Sequence, residues 1–240
     1  MFSYDQLLFE TAATPLQSVA DVLQTFQSID AICVDGDGLK WFNWLYLQVT
    51  QAVETRVASG GFSDPAWIAE LDVQFARLYL GALRASLSGK PAPDCWQTLF
   101  ACRDQTRVAR IQFALAGINA HINHDLPEAI VATCESTATI PSHGTPQFQE
   151  YTSLNITLDG IIESAKQTLH VRLLGEALPA ASHLEDLTAA WSVSEARETA
   201  WNNAELVWHL RETPALSSTF MHTLDGLTAL TNKALLVPVP

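Results

Sequence analysis

Side chains that can transfer protons or bind metal ions are concentrated in the segment Asn119–Asp125. On a helix, which turns by about 100° per residue, His121 and Asp125 are four positions apart and share a face, with His124 beside them. This mixture of nitrogen and oxygen donors suits a divalent metal such as zinc or iron. The same residues equally suit metal-free catalysis by a general base, a histidine oriented by a carboxylate.

Structural roles are open for the same side chains. Asp125 is followed three residues later by Glu128, which is the pattern of a capping box at the start of a new helix. His121 then becomes a core histidine bonded to a backbone carbonyl. Ala114 and Gly117 lie on the same helical face and leave space beside it, either for a ligand or for the close approach of another helix.

A second candidate carboxylate, Asp72, lies in an apolar stripe of its predicted helix. Burial of a carboxylate is costly unless it is paired or bound to a metal. The expected partners are Arg110, His121 or a metal ion, and a salt bridge with Arg77 is the other alternative. The metal ligands predicted from the sequence are therefore Asp72, His121 and Asp125, with His124 as a further ligand or base.

Aromatic side chains are dense in the segment 41–46, which contains Trp41, Trp44 and Tyr46. Such density is typical either of a core or of one wall of an apolar pocket. We interpret these three residues, together with Asn119, as candidate substrate-binding positions.

Two further features could contribute to a site. His143 lies in a predicted loop, either folded over the site or simply exposed. Glu205 and His209 are four residues apart and could supply ligands from a second helix, unless that face is solvated.

Helices are predicted to position all of these residues. Apolar residues recur at helical spacing through most of the chain, and no segment alternates with period two. Asp64 and Pro65 form a helix start, with aspartate at the N-cap and proline in the first turn. Thr14 and Pro15 open a first predicted helical segment, in which the residues at helical spacing are Val19, Val22, Leu23 and Phe26. Further predicted helices cover approximately 39–58, 64–88, 96–102, 106–124, 125–133, 147–174, 184–210 and 215–236. The prediction is an all-α, single-domain, multi-helix bundle spanning residues 1–240.

Composition restricts the function classes. The chain has 26 acidic and 13 basic residues and a net charge of −13, so it lacks the basic surface typical of nucleic-acid binding. No apolar run reaches the ~18 residues of a membrane span. The N-terminus shows no signal peptide, so a cytoplasmic protein with reduced cysteines is expected. The expected partner is a small-molecule substrate, and the sequence does not give the oligomeric state.

The motif Asn-Ala-His-Ile-Asn-His-Asp-Leu-Pro at residues 119–127 resembles that of an uncharacterised family of bacterial and fungal helical proteins. The segments 62–67, 72–79 and 112–117 are similar to the same family. This resemblance implies a helical fold and no particular reaction.

A second resemblance concerns the zinc-dependent phospholipase C and single-strand nuclease group, which carries His-x-x-x-Asp on a helix. His121 and Asp125 match this motif. The chain departs from it because Pro127 follows early, the next histidine is His143, and the N-terminal tryptophan ligand is absent. The resemblance therefore implies one or two metal ions at most.

The leading hypothesis is a metal-dependent hydrolase, using zinc or iron to activate water for attack on a small phosphate-ester-like or lipid-like substrate. The second is a metal-free cyclase, lyase or isomerase, with His121 and Asp125 as the acid–base pair in an aromatic pocket. The third is a non-enzymatic binding module for an apolar ligand.

Overall fold

The computed structural model describes residues 2–171 and 192–238, and within these ranges every regular element is a helix. The elements are α1 (Asp5–Ala12), α2 (Val19–Ile32), α3 (Gly38–Ala58), α4 (Pro65–Leu87), α5 (Asp94–Phe100), α6 (Arg110–Ala120), a π-helical turn (His121–Asp125), α7 (Leu126–Ser136), α8 (Pro146–Ser153), α9 (Asn155–Val171), α10 (Val193–Leu210) and α11 (Pro214–Leu235). The predicted all-α bundle is confirmed.

Helix starts follow the local capping chemistry of the sequence. The carboxylate of Asp64 accepts a hydrogen bond from the backbone N–H of Trp67, and Pro65 occupies the first turn of α4, as predicted. Asp37 caps α3 in the same way. Helix α1 was not predicted. The predicted helices that continue to Leu174 and begin at Leu184 extend into residues outside the described ranges.

The centre of the fold is a nearly continuous rod formed by α6, the π-helical turn and α7. The backbone N–H of Leu126 donates to the carbonyl of His121, five residues earlier. Pro127 follows in the first turn of α7, where it has no N–H to donate. Two separate helices with a start at Asp125 were predicted, but Asp125 has helical backbone angles and makes no capping bond. One widened turn instead joins the two helices.

Neighbouring helices surround this rod. Helices α3 and α11 pack on α6, while α4 and α10 pack on α7. At Gly117 of α6, a Cβ atom would overlap the ring of Phe42 from α3. The space left by Gly117 is therefore used for the close approach of a helix, which was one of the two predicted uses.

A buried ion pair fixes the start of α3. Arg103 donates to both carboxylate oxygens of Asp37, which is fully buried, and also to Asp5 of α1. Because α3 carries Phe42 and Tyr46, this anchor also positions one wall of the site described below. Among the described residues, no helix combines the length and the apolar character needed to cross a bilayer.

Candidate active site

The carboxylate of Asp125 lies at the centre of a buried hydrogen-bond network. Its Oδ2 atom accepts hydrogen bonds from Nδ1 of His121 and Nε1 of Trp96, both at 2.9 Å. Its Oδ1 atom accepts from Nδ1 of His124 at 2.8 Å. Asp125 is 2% exposed. The carboxylate therefore orients two histidines and does not cap a helix.

The charges in this network are set by burial and by the hydrogen bonds. Burial lowers the pKa of His121 below its ordinary value of 6.5, in spite of the Asp125 carboxylate. For His124 burial acts in the same direction, but the hydrogen bond and charge of Asp125 outweigh it and raise the pKa. Burial opposes the charge on Asp125, yet the hydrogen bonds from both histidines hold its pKa low. An ionised Asp125 thus lies between a neutral His121 and a more basic His124.

The second ring nitrogen of His121 is available for chemistry. Because Asp125 is ionised, Nδ1 of His121 carries the proton of their hydrogen bond, and Nε2 keeps its lone pair. Nε2 is buried and has no hydrogen-bond partner in the described part of the chain. Phe75 stacks on the imidazole with ring centroids 3.3 Å apart and an interplanar angle of 6°, which fixes the ring plane.

His121 lines a cavity of about 60 Å³, which is larger than the volume that a single water molecule needs. The other lining residues are mostly apolar and come from α3, α4, α6, the π-helical turn, α9 and α10: Phe42, Leu45, Tyr46, Val49, Phe75, Ile118, Ile122, Leu158, Ile162, Val193 and Arg197.

A second cavity of about 50 Å³ adjoins the first. Tyr46, Phe75 and Arg197 are among the residues that line both. Asp72 lines the second cavity, and its Oδ2 atom has no hydrogen-bond partner among the described residues. The hydroxyl of Tyr46 also has no hydrogen-bond partner among the described residues. The walls of the two cavities therefore contain three buried polar atoms without a hydrogen-bond partner among the described residues: Nε2 of His121, the Tyr46 hydroxyl and Oδ2 of Asp72.

The partners predicted for Asp72 are engaged elsewhere. Arg110 contacts Asp35 and lies over the ring of Trp41, and Arg77 donates to a backbone carbonyl near α2. Burial, reinforced by the charge of Glu54, raises the pKa of Asp72 to about 7. Burial also raises the pKa of Tyr46, with Asp72 contributing, so that its hydroxyl remains a hydrogen-bond donor.

The metal ligands predicted from the sequence do not form a cluster. Both oxygens of Asp125 face histidine and tryptophan N–H groups, and the free nitrogen of His121 faces the cavity. In the described ranges, the ligand atoms that converge belong to Cys95, His124 and Asp225. Of the predicted set, only His124, given as a ligand or base, is in this group.

One of the four predicted substrate-binding residues, Tyr46, lines the cavities. Trp41 and Trp44 line neither cavity; the indole N–H of Trp41 donates to the carbonyl of Asp35. Asn119 binds Thr228 and Asn232 of α11, so its amide holds two helices together.

His143, the other candidate histidine, forms its side-chain hydrogen bonds with α10. Its two ring nitrogens contact Glu205 at 2.7 Å and Glu198 at 2.9 Å. Glu205, predicted with His209 as a possible ligand from a second helix, therefore pairs with His143. These residues fasten the loop before α8 to the bundle surface.

Several residues of the site were missed. Phe75, Arg197 and Trp96 come from three different helices, and nothing in their local sequence marks them as neighbours of His121. Trp96 carried the only signal available, because a tryptophan in a core needs an acceptor for its indole N–H. Its partner, Asp125, is 29 positions away.

Fold and site define an all-α protein with a buried histidine–carboxylate network beside an apolar cavity. The chain belongs to the Family of unknown function (DUF5995), whose profile matches residues 19–238. Neither a curated protein nor a solved structure matches the chain. The family membership agrees with the uncharacterised family expected from the sequence and assigns no reaction.

Proposed function

We propose that this protein is an enzyme that transfers protons on a small, largely apolar substrate, with Nε2 of His121 as the general base. The observation that supports this is the imidazole itself. Its Nδ1 is held by an ionised carboxylate, and its Nε2 is unpartnered at the wall of an apolar cavity. A neutral, oriented imidazole facing a shielded cavity is the arrangement that general-base catalysis needs.

The polar groups around the cavity indicate a carbonyl-bearing substrate. Nε2 of His121 takes a proton from the carbon next to the carbonyl. The electron pair of that C–H bond forms a C=C bond, and the π pair of the carbonyl moves onto its oxygen. The ring centroid of Tyr46 lies 4.5 Å from that of His121. In this proposal the Tyr46 hydroxyl donates a hydrogen bond to the developing oxyanion. Return of the proton to the same carbon gives proton exchange. In a β,γ-unsaturated ketone, return of the proton to the γ-carbon of the conjugated enolate completes an isomerisation.

Asp125 has a positioning role in this proposal. It holds the Nδ1–H tautomer of His121 and stabilises the imidazolium formed when Nε2 accepts the proton. Trp96 and His124 occupy the remaining acceptor positions of the carboxylate. Burial is the main reason that the pKa of His121 is lowered and that its imidazole is neutral before the reaction, and a protonated His124 acts in the same direction.

The metal-dependent hydrolase predicted from the sequence is less well supported. It requires Asp72, His121 and Asp125 to bind one ion, whereas the ligand atoms that converge within 4.8 Å of one another in the described ranges belong to Cys95, His124 and Asp225. A non-enzymatic ligand-binding role uses the same cavity. The proton-transfer and ligand-binding hypotheses differ in the role of His121. Ligand binding depends only on the shape of the imidazole, whereas proton transfer depends on the basicity of its Nε2 atom.

The test is proton exchange on simple probes. A panel of small ketones, such as cyclopentanone and 3-pentanone, is incubated with the protein in D₂O, and loss of the α-proton signals is followed by ¹H NMR. We expect exchange faster than in buffer, reduced roughly 10²- to 10⁴-fold by His121→Gln. His143→Gln, at a surface histidine, is the matched control and should leave the rate unchanged. Equal rates for the wild type and His121→Gln contradict the proposal.

A measurement without substrate tests the tautomer directly. In protein labelled with ¹⁵N-histidine, His121 should be neutral at pH 7, with the proton on Nδ1 and none on Nε2. An imidazolium, or a proton on Nε2, would leave the cavity without a base and so overturn the proposal.

A further inference from the structure

Three segments that are distant in sequence bring metal-binding atoms together beside the Asp125 network. Cys95 lies in α5, His124 in the π-helical turn and Asp225 in α11. One ligand atom of each lies within 4.8 Å of the other two. Cys95 is fully buried, and His124 and Asp225 are each 8% exposed. This group is separate from the cavity that His121 faces, since none of the three residues lines it.

We propose that Cys95, His124 and Asp225 form a binding site for a divalent transition metal of the zinc type. Sulfur, imidazole nitrogen and carboxylate oxygen are the donors that zinc takes in proteins. Three protein ligands leave a fourth position of a tetrahedral site for water. The donor set is too soft for calcium or magnesium, which bind oxygen ligands.

Hydrogen bonds already orient two of the three ligands. Nδ1 of His124 is bonded to Oδ1 of Asp125 at 2.8 Å, so the nitrogen left for a metal is Nε2. A carboxylate behind the ligating histidine is the usual arrangement at zinc sites. The carboxylate of Asp225 accepts the backbone N–H groups of Asp94 and Cys95, each at 2.8 Å, and its oxygens retain lone pairs for an ion.

The charge around the group favours a cation. The carboxylates of Asp125, Asp225 and Glu128 all act on His124. Metal binding is charge-balanced by proton release: the Cys95 thiol gives its proton to solvent as the sulfur–metal bond forms, and a protonated His124 does the same. The bound ion would tie α5 and α11 to the π-helical turn. It would therefore stabilise the fold next to the catalytic pair without touching the proposed substrate.

The test uses Co²⁺ as a spectroscopic substitute for zinc. Protein purified without chelator, then stripped of metal, is titrated with Co²⁺. We expect thiolate-to-cobalt charge-transfer absorption in the near ultraviolet, together with the visible bands of a low-coordinate site, and both should disappear on addition of Zn²⁺. Absence of the charge-transfer band in the wild type overturns the proposal.

Paired variants identify the thiol. Cys95→Ser should lose the charge-transfer band, whereas Cys102→Ser should retain it, because the half-buried Cys102 thiol only donates to backbone carbonyls of its own helical turn. A band that survives in Cys95→Ser counts against the site. X-ray absorption of the zinc-loaded wild type gives a second measurement that needs no variant to fold. One sulfur in the coordination shell supports the site, and nitrogen and oxygen ligands alone exclude it.

Discussion

Nδ1 of His121 and Oδ2 of Asp125 lie 2.9 Å apart across one π-helical turn, and both side chains are buried. The hydrogen bond leaves Nε2 of the imidazole directed at an apolar cavity without a protein partner. The turn that separates α6 from α7 therefore positions the one nitrogen on which the proposed chemistry depends. π-Helical turns are frequently found at functional sites.

The first prediction concerns the tautomer of His121. Asp125→Asn keeps the size of the side chain, but it removes the negative charge and replaces with NH₂ one of the two oxygens at which three N–H donors now point. We expect His121 to lose the Nδ1–H tautomer and α-proton exchange on ketones to fall roughly 10²- to 10⁴-fold. Nitrogen chemical shifts of the imidazole and the exchange rate measure the two effects.

Trp96→Phe is the matched control for Asp125→Asn. It removes one of the three donors and preserves both histidine contacts, so the tautomer should be unchanged and the rate nearly so. If Trp96→Phe reduced the exchange rate as much as Asp125→Asn, the rate would depend on the intact hydrogen-bond network. A specific role of Asp125 in orienting His121 would then be excluded.

The second prediction is the pH dependence of proton exchange. The base is the neutral imidazole, and burial lowers the pKa of His121 below 6.5. The rate should therefore rise with pH through that pKa and stay constant at neutral pH. The groups that face His121 are Asp125, His124, Tyr46 and Arg197, of which Tyr46 stays protonated in this range.

Asp72, in the adjoining cavity, also titrates near neutral pH, with a pKa of about 7. The profile should therefore be measured in Asp72→Asn as well, where only the His121 limb remains. A rate that decreases as the pH rises towards 7 in that variant is incompatible with His121 as the base.

The third prediction concerns the stability cost of the buried Asp72. Its pKa is about 7 in the folded protein, against an ordinary value of 3.8, because of burial and then the charge of Glu54. The folded state binds the proton more tightly than the unfolded state, so the free energy of unfolding decreases as pH rises from about 4 to about 7 and levels off above. A pKa difference of about 3 corresponds to roughly 4 kcal/mol.

Asp72→Asn should abolish this decrease and should be more stable than the wild type at pH 8. Urea denaturation at several pH values measures it. The charged or titratable groups near Asp72 are Glu54, Tyr46 and Arg197. Glu54→Gln should lower the pKa of Asp72 and so narrow the pH range of the decrease without abolishing it. If the free energy of unfolding depends on pH in the same way in the wild type and in Asp72→Asn, this explanation is wrong.

The fourth prediction tests the contact between α3 and α6. Gly117→Ala places a Cβ atom inside the ring of Phe42, which packs 5.6 Å from the imidazole of His121 by ring centroids. We expect a loss of about 1–3 kcal/mol in the free energy of unfolding from overpacking. A displaced Phe42 should also change the chemical shifts of His121.

Gly81→Ala in α4 is the control for Gly117→Ala, because a Cβ at Gly81 meets no atom within 4 Å. Replacing an exposed helical glycine with alanine should raise the stability by roughly 0.5–1 kcal/mol. The two substitutions are chemically identical, so effects of the same sign would mean that Phe42 moves aside freely. Chemical denaturation measures both.

Much of the secondary structure could be predicted from the sequence. The helix starts at Val19, Gly38 and Pro65 follow from an apolar period and a capping side chain, which are interactions within one turn. The contact between His121 and Asp125 was predictable for the same reason, since residues four apart on a helix are neighbours. In contrast, the capping role of Asp125 was predicted wrongly, because the local sequence resembles a capping box. A helix does begin at Leu126, but Asp125 has helical backbone angles and makes no capping bond.

Local sequence patterns thus specify most of the helices and the histidine–carboxylate pair in the turn between α6 and α7. Only the tertiary structure decided that Phe42 fills the space beside Gly117, that Trp96 joins Asp125, and that Nε2 of His121 faces a cavity. The difference arises from the sequence distance over which each kind of interaction acts. Helix periodicity and capping act over three or four residues, whereas the walls of a cavity are set by the packing of helices whose contacts no local pattern specifies.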